Sequence, residues 1–171
     1  MPLVLLTGAT DGIGRQTAID LAKGGASLLL PSVALAQTQG APRRQAPAET
    51  GSPPVVFVHG NGDSSALWIN NIWRFEANGY KRNQLFAIDF PYPNARTDDS
   101  KPQPFRSSSE DQMKELAAFV AQVLKATRRR KVALVGSSRG GNAIRNYIQN
   151  GGGDKLVSHA ILGGTPKIGR A

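Results

Sequence analysis

The chain is expected to fold as a three-layer α/β domain, with helices on both sides of a mostly parallel sheet. Three observations predict it. Short apolar runs alternate with segments of helical periodicity across residues 54–162, the pattern of repeated strand–helix–strand units. The apolar runs are rich in valine and nearly continuous, as in strands buried on both faces. One of them, Lys131-Val-Ala-Leu-Val-Gly-Ser-Ser-Arg-Gly-Gly141, breaks into Gly136-Ser137-Ser138-Arg139-Gly140 where a helix should begin.

In chain order, residues 54–58 (Pro-Val-Val-Phe-Val) read as a buried strand running into His59-Gly60-Asn61-Gly62. Asp63, Ser64 and Ser65 then offer N-caps for a helix with Trp68, Ile69, Ile72 and Trp73 on one side, closed by Gly79. Residues 85–90 are a second strand, and 91–107, with their prolines and polar side chains, a loop. Residues 107–112 cap a helix whose apolar positions are Met113, Leu116, Ala117, Val120, Val123 and Leu124, a spacing of i, i+3, i+4 and i+7. A third strand at 132–135, a helix at 141–149 and a fourth strand at 156–162 complete the series. Parallel neighbours of this kind are joined by right-handed crossovers.

Composition narrows the function. The chain has 171 residues, 40% of them hydrophobic, enough for one packed domain and some extra sequence. No apolar run approaches the ~20 residues of a membrane span. With no cysteine and two histidines, disulfides and thiol catalysis are excluded, and neither a metal nor a bound cofactor is expected. The net charge is +9, but the densest run, Arg128-Arg129-Arg130-Lys131, falls between a helix and a strand, at the end of the sheet away from Ser138. It lacks the interleaved aromatics of a nucleic-acid module, so it reads as solvated loop charge, and no nucleic-acid partner is expected.

The G-x-S-x-G turn carries the chemistry. A strand-to-helix turn this sharp forces its central residue into strained backbone with the side chain above the sheet, and flanking glycines remove Cβ atoms that would collide. Ser138 is thereby placed as a nucleophile. Sites in open α/β sheets form beyond the C-terminal ends of the strands, and His59-Gly60-Asn61 occupies another such end. The backbone N–H groups of Asn61 and Arg139 are the candidate oxyanion-hole donors. The His59 side chain is read as structural, because the backbone of its loop does the work.

Four segments are similar to the bacterial class 2 (Bacillus-type) lipases: Val55-Val-Phe-Val-His-Gly60, Asn83-Gln-Leu-Phe-Ala-Ile-Asp-Phe90, Lys131 to Gly141 as quoted above, and Ala160-Ile-Leu-Gly-Gly-Thr165. The resemblance covers residues 54–166 and implies an α/β-hydrolase fold, here C-terminally incomplete. It further implies a carboxylic ester hydrolase, lipase- or esterase-like, without a large lid, acting by a Ser-His-Asp mechanism on a small-molecule or lipid ester. One departure is Ser137-Ser138-Arg139 where the family more often has His-Ser-Met. Arg139 is expected to bring a charge to the mouth of the site.

A serine nucleophile needs a base, and the base an acid, in this fold in the order Ser, Asp or Glu, His. Ser138, Asp154 and His159 stand in that order, but the helix after Ser138 runs back ~14 Å down the sheet. Asp154 then falls at the bottom of the next strand, and His159 ~15 Å below its upper end. The acid and base are therefore expected beyond Ala171. The fourth strand is expected to be an exposed edge, and the 171-residue chain, read as a truncated or fused frame, to be inactive.

The N-terminal part has a different character. Thr7-Gly8-Ala9-Thr10-Asp11-Gly12-Ile13-Gly14, between an apolar strand and a helix-like stretch within residues 1–25, resembles the opening of short-chain dehydrogenases/reductases. That resemblance implies a dinucleotide cradled by Gly8, Gly12 and Gly14, and an NAD(P)-dependent oxidoreductase as the alternative function. The family's Tyr-x-x-x-Lys is absent: Tyr80, Tyr92 and Tyr147 are followed four places on by Gln84, Arg96 and Gly151. Residues 26–53 form a signal-peptide-like apolar stretch ending in Ala34-Leu35-Ala36, then a Pro/Ala/Gln-rich linker, which suggests a secreted or periplasmic protein. In the competing reading, residues 27–30 are the second strand of the dehydrogenase-like unit and the protein is cytoplasmic. A third possibility for residues 54–171 is a non-catalytic binding module that retains a hydrolase surface.

Overall fold

A run of valines makes the most deeply buried strand of the molecule. In the computed structural model, which describes residues 51–165 and the backbone of residues 3–6 and 27–29, β3 (Val55–Val58) is buried at every position. It has strands on both edges and packed side chains on both faces. β4 (Leu85–Ile88) pairs with it on one side and β5 (Val132–Ser137) on the other, both parallel. β6 (Val157–Gly163) follows on β5, then β1 (Leu3–Leu6) and β2 (Ser27–Leu29), giving the order β2-β1-β6-β5-β3-β4 with every pair parallel. The expected α/β architecture with a parallel sheet is the one observed.

The competing reading of residues 27–30 as a strand matches what is seen at Ser27–Leu29. The exposed edge expected at β6 is absent. β1 pairs along it, from Leu3 beside His159 to Leu6 beside Leu162. The glycine-rich turn with Gly8, Gly12 and Gly14, the helix expected after it, and the signal-like stretch and linker from residue 30 to 50 lie outside the described residues.

Two cores sandwich the sheet. On one face α2 (Ser109–Thr127) and α3 (Arg139–Asn150) pack Leu116, Val120, Ile144 and Tyr147 against Val56, Val58, Leu134 and Leu162. Each aliphatic side chain fully buried there contributes roughly 1.5–3 kcal/mol. On the other face α1 (Ile69–Ala77) presses Ile72, with Trp68 just before it, onto Val55, Phe57 and Leu85. Alternation along β5 sends Leu134 to the first core and Ala133 and Val135 to the second.

Helix starts are well specified at α2 and unusual at α1. Ser108 and Asp111 form a reciprocal capping box: the Asp111 N–H donates to Ser108 Oγ (3.0 Å), and the Ser108 N–H to Asp111 Oδ2 (2.8 Å). At α1 none of the expected caps acts. The segment opens with a 3-10 turn, Ser65–Trp68, that has no local side-chain cap. Its first N–H is satisfied from the end of the adjacent strand β4 by the Asp89 carboxylate, 2.6 Å from Ser65 N and 2.7 Å from Ser65 Oγ. Those two bonds, the backbone one foremost, hold the Asp89 carboxyl below its ordinary pKa. The expected apolar side of this helix is also half wrong. Trp68 and Ile72 are buried, but Ile69 is 47% and Trp73 62% exposed.

Candidate active site

The turn from β5 into α3 is built by close approach. Gly140 starts the helix directly on the end of β3: a Cβ there would overlap the carbonyl oxygens of Val58 and His59. Gly60 lets the His59-Gly60-Asn61 turn come up beside Ser138, since a Cβ on it would lie 3.0 Å from Ser138 Cβ and 3.6 Å from Ser138 Oγ. Ser138 itself takes φ 51° and ψ −124°, a region costly for any residue with a side chain. Its N–H is anchored to the Gly163 carbonyl at 2.9 Å, so the end of β6 also holds the turn in place. The side chain is exposed at the crest of the sheet.

Asn61 follows Gly60 directly, and Arg139 follows Ser138 as the first residue of α3. Among the described residues, no acceptor is bonded to the backbone N–H of either. A helix leaves its first amides without internal partners, which accounts for Arg139. Of the site residues expected from the sequence, Ser138 and Arg139 adjoin at the start of α3, and Asn61 follows the glycine that packs on Ser138.

The charge expected at the mouth of the site is held by hydrogen bonds. The Arg139 guanidinium turns away into the loop at 91–107. It donates to the Pro93 carbonyl at 3.3 Å, to Ser107 Oγ at 3.1 Å and to the Ser107 carbonyl at 2.7 Å. Burial lowers its pKa from the ordinary guanidinium value, against the pull of Asp99, Asp111 and Glu115 around it. Burial likewise raises the pKa of Glu115, with Asp111 adding and Arg139 opposing.

Both imidazoles of the chain are engaged elsewhere. His59 is 1% exposed. Its Nε2 accepts from the Phe90 N–H at 3.2 Å, which leaves the ring proton on Nδ1, 2.9 Å from the Gly60 carbonyl. The ring therefore ties the upper end of β3 to that of β4, the structural role expected of it. His159 pairs with Ala133 in the register of β5 and β6, whereas the residue beside Ser138 pairs with Gly163. Four residues of strand separate those levels, roughly 13 Å. The His159 ring contacts Ser158 Oγ at 3.1 Å instead, and Asp154 lies lower still, in the turn before β6. Ser138, Asp154 and His159 do not come together. An apolar cavity of about 290 Å³, lined by Phe75, Tyr80, Val135, His159 and Ile161 among others, sits at this lower level and does not include Ser138.

Sequence reasoning missed how residues 61 and 62 are tied to the loop at 91–107. Asn61 Oδ1 accepts from the Ala95 N–H at 2.6 Å, and Gly62 N–H donates to the Pro93 carbonyl at 3.2 Å. The polar character of residues 91–107 was the one available signal, and it gives no partner.

A parallel sheet covered by helices on both faces, with a serine raised on a strained turn after a central strand, defines an α/β-hydrolase. Residues 52–164 match the class 2 lipase family, and the chain belongs to it. Among solved structures it is similar to the lipase BlEst2 of Bacillus licheniformis. The mature form is 27% identical with a TM-score of 0.53, over 74% of this chain and 45% of that one. The propeptide form is 27% identical with a TM-score of 0.52, over 74% of this chain and 25% of that one. The chain thus spans less than half the length of either.

Proposed function

We propose that this chain carries the nucleophile and oxyanion hole of a carboxylic ester hydrolase of the lipase or esterase kind. Ser138 Oγ attacks the ester carbonyl carbon, the carbonyl π electrons move onto oxygen, and the Asn61 and Arg139 N–H groups receive the resulting oxyanion. The Oγ proton passes to solvent, collapse of the intermediate breaks the ester C–O bond, the alkoxide leaves as the alcohol with a proton from solvent, and the acyl-enzyme remains for water to cleave. The observation that carries the reading is the backbone of Ser138, held at φ 51° by a turn that three strand ends support. Strain at an exposed polar residue is a cost of roughly 1–3 kcal/mol that a turn with no use for the hydroxyl has no reason to keep. Each oxyanion donor contributes roughly 3 kcal/mol to the transition state.

Because the two histidines are committed elsewhere, no imidazole of these 171 residues takes the Oγ proton. Turnover by the isolated chain therefore stays at the level the oxyanion hole supports. The test is covalent: after treatment with an alkyl fluorophosphonate, peptide mass mapping should find the adduct on Ser138 before any other serine, and Ser138→Ala should abolish it. Adducts spread over surface serines, or rapid ester turnover that survives Ser138→Ala, would sink the reading.

The dinucleotide reading has one observation in its favour, the parallel pairing of β1 with β2, as a strand–helix–strand unit requires. Titration of NADH or NADPH against tryptophan fluorescence decides it. Micromolar saturation supports an oxidoreductase, and an unchanged signal removes it.

A further inference from the structure

Both residues proposed as oxyanion-hole donors also send their side chains to the same loop. Asn61 Oδ1 holds Ala95 N, and the Arg139 guanidinium holds the Pro93 carbonyl and both oxygens of Ser107. The loop is itself stiff. Ser107 N–H donates to the Asn94 carbonyl at 2.9 Å, Arg96 N–H to the Ser107 carbonyl at 3.1 Å, and Ser107 Oγ to the Tyr92 carbonyl at 2.7 Å. At its far end Arg96 pairs with Asp111 at 2.7 Å, and the Asp99 carboxylate accepts the Ser109 N–H at 2.9 Å, fastening the loop to the start of α2. Ser107, where most of these bonds converge, is 1% exposed.

Asn61 needs such support. It is exposed and lies between two glycines, the second at φ 68°, so little in its own turn fixes the direction of its N–H. The Arg139 amide, by contrast, is set by the helix, and its side chain projects from that fixed point onto the loop. A bond path therefore runs from one amide to the other: Asn61 to Ala95, through the 94–107 bridge, to Ser107 and Arg139. An oxyanion hole is effective only while its donors keep their distance to the developing charge, so this path controls its strength.

Resting on the ester-hydrolase reading above, we propose that residues 91–107 form a strut that spaces the two oxyanion donors, with the Arg139 guanidinium and the Asn61 carboxamide as positioning groups. Arg139 is then retained for the loop and not for contact with substrate. A methionine there makes none of these bonds, and a lysine ammonium lacks the planar fork that reaches Pro93 and both oxygens of Ser107 from two nitrogens.

The test uses phenylboronic acid and boron-11 NMR, because adduct formation is an equilibrium that needs no imidazole. Ser138 Oγ forms a bond to the trivalent boron, its proton leaves to buffer, and the four-coordinate boronate anion stands where the oxyanion would. The wild-type chain should show a four-coordinate signal that Ser138→Ala abolishes. Arg139→Met should weaken binding about tenfold or more, with Arg139→Lys recovering part of it. Asn61→Ala, at an exposed position that leaves the core intact, should weaken it comparably, while Asn61→Asp, which keeps the acceptor for Ala95, should bind more tightly than Asn61→Ala. Hydrogen exchange of residues 60–62 should quicken in Arg139→Met, a residue with no direct bond to them. If Arg139→Met and Asn61→Ala bind the boronic acid as the wild type does, the strut is wrong and the hydrolase reading stands. If the wild type shows no Ser138-dependent boronate, the hydrolase reading falls, and the strut with it.

Discussion

Gly140 packs against Val58 so closely that a Cβ at residue 140 would stand 2.9 Å from the Val58 carbonyl carbon. Helix α3 therefore begins on the end of β3 as well as on β5, and this shared footing brings Ser138 beside the His59-Gly60-Asn61 turn. Since the obstructing atoms are backbone, a side chain at 140 is accommodated only by moving the helix or the strand. Gly140→Ala is expected to destabilise the chain by about 1–3 kcal/mol, measured by urea unfolding. Phosphonylation of Ser138 should also be lost in the protein that remains folded. Normal labelling in a folded Gly140→Ala chain would contradict this account of the turn.

Gly60→Ala should separate stability from site geometry. Its Cβ would meet Ser138 Cβ at 3.0 Å and the Ser137 carbonyl at 3.3 Å, tight contacts that a shift of a few tenths of an ångström relieves. The melting temperature is expected to change little, while the rate of Ser138 phosphonylation falls about tenfold to a hundredfold. A large loss of stability with an unchanged labelling rate would place the cost elsewhere.

His59 is expected to matter for stability and not for proton transfer. Removing the ring in His59→Ala leaves the Phe90 N–H without its acceptor and removes the edge contact with the Phe90 ring, 5.0 Å between centroids. A loss of about 1–3 kcal/mol follows from stranding a buried donor. The pH profile of Ser138 phosphonylation measured on His59→Gln should keep the wild-type shape. Disappearance of an imidazole inflection would show that His59 acts as the base after all.

The α2 capping box gives a pH-dependent stability. Bonds from Ser108, its backbone N–H first and its hydroxyl second, lower the Asp111 carboxyl from 3.8, against the opposing effect of burial. A carboxyl with a depressed folded-state pKa stabilises above its unfolded value and loses that contribution as pH falls through the folded value. Asp111→Asn should cost about 1 kcal/mol at neutral pH in urea titrations followed by circular dichroism. The gap to wild type should narrow below pH 3.8. A difference that stays constant across that range would assign the effect to packing and not to the charge.

Much of this architecture is legible along the chain. The strands at Val55–Val58 and Val132–Ser137 are unambiguous, because a parallel strand buried on both faces has to be written as a continuous apolar run. α2 is equally plain, with its capping box and regular period. α1 departs from its expected apolar side for a physical reason. At 3.6 residues per turn, Ile69 and Trp73 lie about 100° round the helix from Trp68 and Ile72. A helix that presses Trp68 and Ile72 onto the sheet therefore turns Ile69 and Trp73 toward solvent, and only the sheet decides which of the two pairs is buried.

For the site, local pattern is enough to place Ser138, because the glycines immediately around it are what allow so tight a turn. The orientation of Arg139, the tie from Asn61 to Ala95, the acceptor role of His59 toward Phe90 and the pairing of β1 along β6 had no such local source. Each joins residues distant along the chain, as in the 46 positions between Arg139 and Pro93. Periodicity and motif spacing report only what neighbours along the backbone impose on one another. Which donor meets which acceptor across that distance depends on how helices and loops settle on the sheet, and that is a property of the folded chain.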